Sequence, residues 1–115
     1  MKTFSCELET MKRGQADTCY GFFSSLSSPT RLAIMEKLRS RPMNVTNLVD
    51  LLGQEQSMIS HNLKPLERCS LVYSERRGKE KIYSINSETM EKIFKVVENH
   101  AERFCPAKGK CAYSK

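Results

Sequence analysis

The sequence predicts a mainly α-helical domain with one small β-hairpin, an α+β fold. Three features predict it: helically spaced apolar residues near both ends, two central helices joined by a Gly-containing turn, and a change to strand-like composition after Cys69. A chain of 115 residues is expected to form one domain. Because small domains bury proportionally little surface, dimerisation is a common way for them to gain core.

The first two predicted helices follow one another closely. The first runs from about Leu8 to Leu26. Its apolar residues at helical spacing are Cys19, Phe22, Phe23 and Leu26. The second helix starts after Ser28, a good N-cap, with Pro29 at the first position, where its missing N–H would be unpaired anyway. Pro42 ends this helix, whose expected buried residues are Leu32, Met35 and Leu38.

A helix-turn-helix is predicted next, because two helices are separated by a short turn that contains glycine. Thr46 is the expected cap of the first helix, and Gly53 ends it in a left-handed conformation. The second helix runs from Gln56 to Arg68. The residues expected to face inward are Leu48, Leu51, Leu52, Ile59, Leu63 and Leu66.

A β-hairpin and a long helix complete the domain. The segments LVYSERR and KIYSI are rich in β-branched and aromatic residues, and Gly78 lies near the tip between them. Ser87 is the expected cap of the last helix. The apolar stripe of that helix is Met90, Ile93, Phe94, Val97, Ala101 and Phe104. This order predicts a winged helix-turn-helix with a helix added at each end.

The predicted domain has four parts. They are an N-terminal helix (1–26), the winged helix-turn-helix (28–86), a C-terminal helix (87–105) and a tail with Cys and Lys (106–115). The two outer helices are expected to form the interface of a homodimer, although packing within one chain would also use their apolar surface.

Composition excludes several classes of protein. No stretch resembles a signal peptide or a membrane span, so we expect a soluble, cytoplasmic chain with no membrane partner. No arrangement of nucleophile, base and acid is recognisable and no Gly-rich phosphate loop is present, so we expect no enzyme activity. The net charge of +6 and the sequence pI of about 9.2 suit an acidic polymer as partner.

Two neighbouring groups of residues predict DNA binding. Ser57, Ser60, His61 and Lys64 share one face of the second helix of the helix-turn-helix. A polar stripe of this kind is usually a solvated face, but recognition residues lie on this helix. The hairpin tip adds four cations: Arg76, Arg77, Lys79 and Lys81. Since a winged helix used for protein binding would present an apolar face here, the polar face favours double-stranded DNA.

The segments SSPTRLAIMEKL, NLVDLLG, QSMISHNLKPLE and LVYSERRGKEKIYSI resemble the ArsR/SmtB family of winged-helix repressors. The similarity extends over about residues 22–104. It implies a homodimer on a twofold operator in promoter DNA, released when a metal ion, a metalloid or an oxidant reaches cysteine or histidine sites. It also implies that Gln56 joins Ser57, Ser60, His61 and the hairpin cations in contacting DNA.

The chain departs from the family at both of its usual sensor sites. Where many members have a Cys-x-Cys motif, this chain has Asn44 and Thr46. Where others bind zinc through Asp and His on the last helix, it has Ser87, Thr89, Asn99, Glu102 or Arg103, with His100 out of place. Neither standard sensor can be carried over by resemblance.

The cysteines offer another sensor. The chain has five cysteines, an odd number, and no export signal is recognisable. Both features argue against a disulfide framework. Cys6, Cys19, Cys105 and Cys111 lie outside the predicted DNA-binding segments, and such thiolates suit Zn(II), Cd(II) or As(III) as effector. Oxidation is the alternative, since Lys108 and Lys110 next to Cys111 favour a reactive thiolate. A regulator without effector is the third possibility. Cys69 is expected to be buried and to serve packing.

Overall fold

The winged helix-turn-helix predicted from the sequence is present. A computed structural model describes the backbone of residues 15–105 and the side chains of residues 20–105. The elements are α1 (Gln15–Leu26), α2 (Pro29–Ser40), α3 (Val45–Leu52), α4 (Gln56–Arg68), β1 (Val72–Arg77), β2 (Glu80–Ile85) and α5 (Ser87–Phe104). The predicted helical segment before Gln15 lies outside the described residues. The described chain divides into two compact units, residues 15–85 and residues 86–105.

The core of the first unit lies between α2, α3, α4 and the base of the hairpin. These elements contact one another, and α1 contacts α2. The buried apolar residues of this unit are Ile34, Met35, Leu38, Met43, Leu48, Ile59, Leu63, Leu66, Leu71, Val72 and Tyr83. Among the described residues, no helix is both long enough and apolar enough to cross a membrane.

The start of α2 is as predicted, but one of its expected core residues is wrong. The hydroxyl of Ser28 accepts a hydrogen bond from the backbone N–H of Arg31 at 3.2 Å, and Pro29 is the first helical residue. Leu32 is 41% exposed. At about 100° per residue, Leu32 lies roughly 110° from the centre of the face that buries the three apolar residues of α2, which are Ile34, Met35 and Leu38.

The cap of α3 is Asn44, and the expectation of Thr46 is wrong. The Asn44 side chain accepts from the backbone N–H of Asn47 at 2.8 Å, and the Asn47 side chain accepts from the backbone N–H of Asn44 at 3.3 Å. Because this reciprocal pair starts the helix at Val45, Thr46 becomes its second residue. Asparagine satisfies a helix start as well as serine does.

Gly53 ends α3 as predicted. Its φ is 65°, in the left-handed region, and its N–H donates to the carbonyl of Val49 at 2.9 Å. Leu48 is fully buried, whereas Leu51 is 50% exposed, so the prediction that Leu51 packs inward is wrong. Leu52 is half-buried, and at about 100° per residue Leu51 lies roughly 80° round the helix from the midline of Leu48 and Leu52.

The buried face of α4 is confirmed, since Ile59, Leu63 and Leu66 are all buried. The helix ends at Arg68, and Ser70, two residues later, is left-handed with a φ of 58°. The N–H of Leu71 then donates to the carbonyl of Leu66 at 2.9 Å. This bond closes the helix and turns the chain directly into β1.

The hairpin is anchored at its base and open at its tip. β1 and β2 are antiparallel, with register from Val72 opposite Ile85 to Arg77 opposite Glu80. Tyr83 is paired through its backbone with Met43, by hydrogen bonds of 3.0 and 2.8 Å, which joins β2 to the segment before α3. Gly78 has a φ of 63° at the tip, where the left-handed conformation makes the turn.

The second unit contains α5. Its cap is Asn86, whose side chain accepts from the backbone N–H of Thr89 at 3.3 Å, so Ser87 is the first helical residue and not the cap. Val97 and Phe104 of the predicted stripe are 57% and 65% exposed.

Candidate nucleic-acid interface

One face of α4 is polar and open to solvent. Its buried face, formed by Ile59, Leu63 and Leu66, fixes the helix to the core, so that the opposite face points outward. Of the residues predicted to contact DNA, Gln56, Ser57, His61 and Lys64 are exposed and Ser60 is half-buried. The helix thus offers an amide, hydroxyls, an imidazole and an ammonium, which are groups that bind base edges and phosphates.

The four predicted cations of the hairpin are all exposed: Arg76, Arg77, Lys79 and Lys81. The register places Arg77 opposite Glu80, and its guanidinium also lies 3.6 Å from a carboxylate oxygen of Glu75. Arg76, in contrast, lies directly opposite Lys81. Like charges at directly opposite positions are unfavourable in a hairpin, and Nζ of Lys81 lies 5.6 Å from the centre of the Tyr83 ring.

A hydrogen bond joins α4 to the wing. The hydroxyl of Ser74 in β1 donates to a carboxylate oxygen of Glu67 near the end of α4. Both residues are half-buried. The polar face of α4 and the cationic hairpin are therefore held to each other by a side-chain contact as well as by the short turn between them.

A buried polar network, which the sequence analysis missed, fixes α4 to the helices before it. Asn62 is only 8% exposed, and its side-chain oxygen accepts from Nε of Arg31 at 3.1 Å. Its amide nitrogen donates to the carbonyl of Met58 at 2.9 Å. Arg31 also donates to the carbonyl of Ser25, at 3.3 Å. An asparagine among the apolar residues of α4 was the available signal.

Two exposed residues of α4 were also missed. Arg68 lies four residues after Lys64 and extends the cationic face. The spacing of three and four residues that joins Ser57, Ser60, His61 and Lys64 leads to Arg68 as the next residue on this face. Met58 is 47% exposed on the first turn, where the sequence analysis considered polar residues only.

The cysteines are only partly described. Cys69, expected to be buried, is half-buried, and its Sγ lies 3.2 Å from the hydroxyl of Ser25. Cys105 follows α5 and is half-buried. Cys6 and Cys111 lie outside the described residues, as does the side chain of Cys19 in α1. Within the described part of the chain, no three His, Cys, Asp or Glu residues are grouped to hold a metal ion.

Comparison with known proteins agrees with this geometry. The family model described as "Bacterial regulatory protein, arsR family" matches residues 28–74. The regulator NmtR of Mycobacterium tuberculosis is 35% identical over 78 residues, which are 68% of this chain and 65% of NmtR. The chain thus spans just under two thirds of that relative. The SmtB repressor homolog of Synechocystis is 30% identical over 82% of this chain and 71% of its own length.

A solved structure shares the fold. It is the homodimeric winged helix-turn-helix DNA-binding domain of Mb0332 from Mycobacterium bovis, described as a possible ArsR-family regulator. The TM-score is 0.70 and the identity 26%, over 78% of this chain and 83% of that one.

The matched family model and these relatives are DNA-binding transcriptional regulators of the winged helix-turn-helix class. Within that class, the chain belongs to the ArsR/SmtB family.

Proposed function

We propose that the chain is a homodimeric repressor that binds promoter DNA in the bacterial cytoplasm and leaves it when a thiol-binding effector is present. α4 enters the major groove of each half-site through Gln56, Ser57, Ser60, His61 and Lys64. Arg76, Arg77, Lys79 and Lys81 of the wing bind the adjacent phosphates. The observation that supports this most is the exposed polar face of α4 next to a cationic hairpin within one compact unit.

Dimerisation is supported by exposed apolar side chains at both ends of the described chain. In α1, Tyr20 and Phe23 are 75% and 59% exposed. In α5, Val96, Val97 and Phe104 are each more than half exposed. We assign these helices to the subunit interface, as in the prediction from sequence, and Mb0332 is a homodimer of the same fold. A twofold dimer places its recognition helices about one DNA turn apart, roughly 34 Å.

The proposed effector is a thiophilic ion, As(III), Cd(II) or Zn(II), held by Cys6, Cys19, Cys105 and Cys111. Three or four thiolates are the donor set that soft ions prefer. Because the coupling between two ligands is reciprocal, an effector that releases DNA must bind the DNA-bound protein more weakly than the free protein.

Fluorescence anisotropy tests this proposal. Fully reduced protein is bound to labelled DNA from upstream of its own gene, and arsenite is added, with Cd(II) and Zn(II) in parallel titrations. We expect release of the wild type and retention of a variant in which the four proposed cysteines are replaced by serine. Cys69→Ser is the matched control and should still be released, because Cys69 lies at the end of α4 outside the proposed thiol set.

Retention of DNA by wild type and variant alike at all ion concentrations would overturn the metal and metalloid assignment. Oxidation is the second candidate, favoured by Lys108 and Lys110, which shortly precede Cys111 in the sequence. It predicts that a disulfide-forming oxidant releases the wild type and leaves the four-serine variant bound. Retention in that experiment too would leave a regulator without effector.

A further inference from the structure

Met58 is a large apolar side chain in an otherwise polar recognition surface. It is 47% exposed on the first turn of α4. It follows Ser57 directly and precedes His61 by three residues, so it lies beside His61 on the helix surface. A single exposed apolar residue needs no explanation in itself. The position of Met58 at the start of the recognition helix does need an explanation, because the N-terminal residues of such a helix reach base edges.

The structure also fixes the backbone at this residue. The carbonyl of Met58 accepts from the buried side chain of Asn62 at 2.9 Å, and Asn62 is held by Arg31 at 3.1 Å. The position of the first turn of α4 thus depends on contacts to α2 as well as on its own helical bonds. A side chain that starts from a fixed backbone position can select one base pair along the groove.

We propose that Met58 determines sequence specificity by packing on the 5-methyl group of a thymine in each half-site. This inference rests on the proposed function, with α4 in the major groove. The thymine methyl group is the apolar feature that the major groove presents, and cytosine and the purines lack it. An unbranched thioether fits such a group well, since its rotatable bonds let it follow an irregular surface.

Replacement of single thymines by deoxyuridine tests the proposal, because it removes the methyl group and leaves the hydrogen-bonding edge unchanged. The probe is the segment of the protein's own upstream DNA that the full chain protects in a footprint. A buried methyl group is worth about fourfold in an equilibrium constant. We therefore expect one thymine in each half-site whose replacement raises the Kd about fourfold, and about fifteenfold when both half-sites are changed.

Variants assign this effect to Met58. In Met58→Ala the ratio of the Kd values for deoxyuridine and thymine DNA should fall close to one, whereas Met58→Leu should keep most of it. Leu51→Ala is the matched control, since Leu51 is equally exposed at 50% but lies on α3. It should show the wild-type ratio. All four proteins are compared by circular dichroism to establish that they are folded.

The outcomes separate this inference from the proposed function. Failure of the wild type to protect any upstream DNA would overturn the proposed function and this inference with it. Two results obtained with normal protection would overturn the role of Met58 alone. One is that no thymine-to-deoxyuridine replacement changes the Kd. The other is that Met58→Ala has the same ratio of Kd values for deoxyuridine and thymine DNA as the wild type.

Discussion

Replacing Arg76 by glutamate should stabilise the free protein and weaken its binding to DNA. Arg76 lies directly opposite Lys81 in the hairpin, and both side chains are exposed. The change converts a pair of like charges into a pair of opposite charges. Cross-strand pairs of this kind contribute about 0.2–1 kcal/mol, and exposure to solvent keeps them near the lower end. Because the change removes a repulsion and adds an attraction, we expect the free energy of unfolding to rise by about 0.5 kcal/mol, which raises the Tm by about 2–3 °C.

The effect on DNA binding is opposite in sign. If Arg76 contacts one phosphate in each half of a dimer, its loss removes two phosphate contacts. The slope of log K against log salt should then decrease in magnitude by about 1.8, because each contact contributes about 0.9. Stability is measured by thermal unfolding at one fixed protein concentration, and binding by anisotropy over a series of salt concentrations.

Arg77→Glu is the matched control, because it makes the same charge change one residue away. Arg77 lies opposite Glu80 and near Glu75, so this substitution creates repulsion and should lower the Tm while it also weakens DNA binding. Similar Tm shifts in both variants would refute the assignment of the cross-strand pairs. An unchanged salt slope in both variants would refute the contact of the wing with phosphates.

Three further predictions concern α4 and the helix ends. Ser60→Ala and His61→Ala should each weaken operator binding by about 1–3 kcal/mol with little change for unrelated DNA, and equal losses on both DNAs would contradict base recognition. Asn44→Ala should lower the free energy of unfolding in urea by about 1 kcal/mol, whereas Thr46→Ala should have a much smaller effect. Ser70→Gly should raise it by about 0.5–1 kcal/mol, because Ser70 occupies a left-handed conformation; a decrease would show that its side chain matters more than its backbone.

The fold was predictable because its periodic patterns are strong. Ile59, Leu63 and Leu66 recur at three and four residues on one face, and the structure buries all three. The hairpin followed from its β-branched and aromatic composition, with Gly78 at the turn. Such signals depend on local geometry that every helix or strand shares, so a single sequence is sufficient to find them.

Exact helix starts and solvent-facing leucines were harder to predict. Asn44 and Thr46 are both acceptable caps, and only the reciprocal bond with Asn47 decides between them. Leu51 is as apolar as Leu48, but the neighbouring elements cover only one side of the short helix α3. The cap depends on which of two nearby residues takes the extended backbone conformation, and the exposure of Leu51 depends on elements that are distant in sequence.

Within the candidate site, the polar face of α4 was predicted from spacing and the wing cations from the composition of the hairpin tip, whereas the contacts that hold α4 in place were not predicted. The contact of Asn62 with Arg31 joins residues 31 positions apart, and nothing in the local pattern pairs them. Met58 was passed over because an apolar residue on a helix is ordinarily assigned to the core. The four proposed sensor cysteines remain a prediction.

The most direct test of the central claim compares two duplexes in one experiment. The full, reduced chain is titrated onto DNA from upstream of its own gene and onto an unrelated duplex of equal length, at several salt concentrations. We predict binding to the upstream DNA about a thousandfold tighter or more, with affinity for both duplexes falling as salt is raised. Equal affinity for the two duplexes, or affinity that does not change with salt, would contradict the assignment of α4 and the wing to sequence-specific DNA binding.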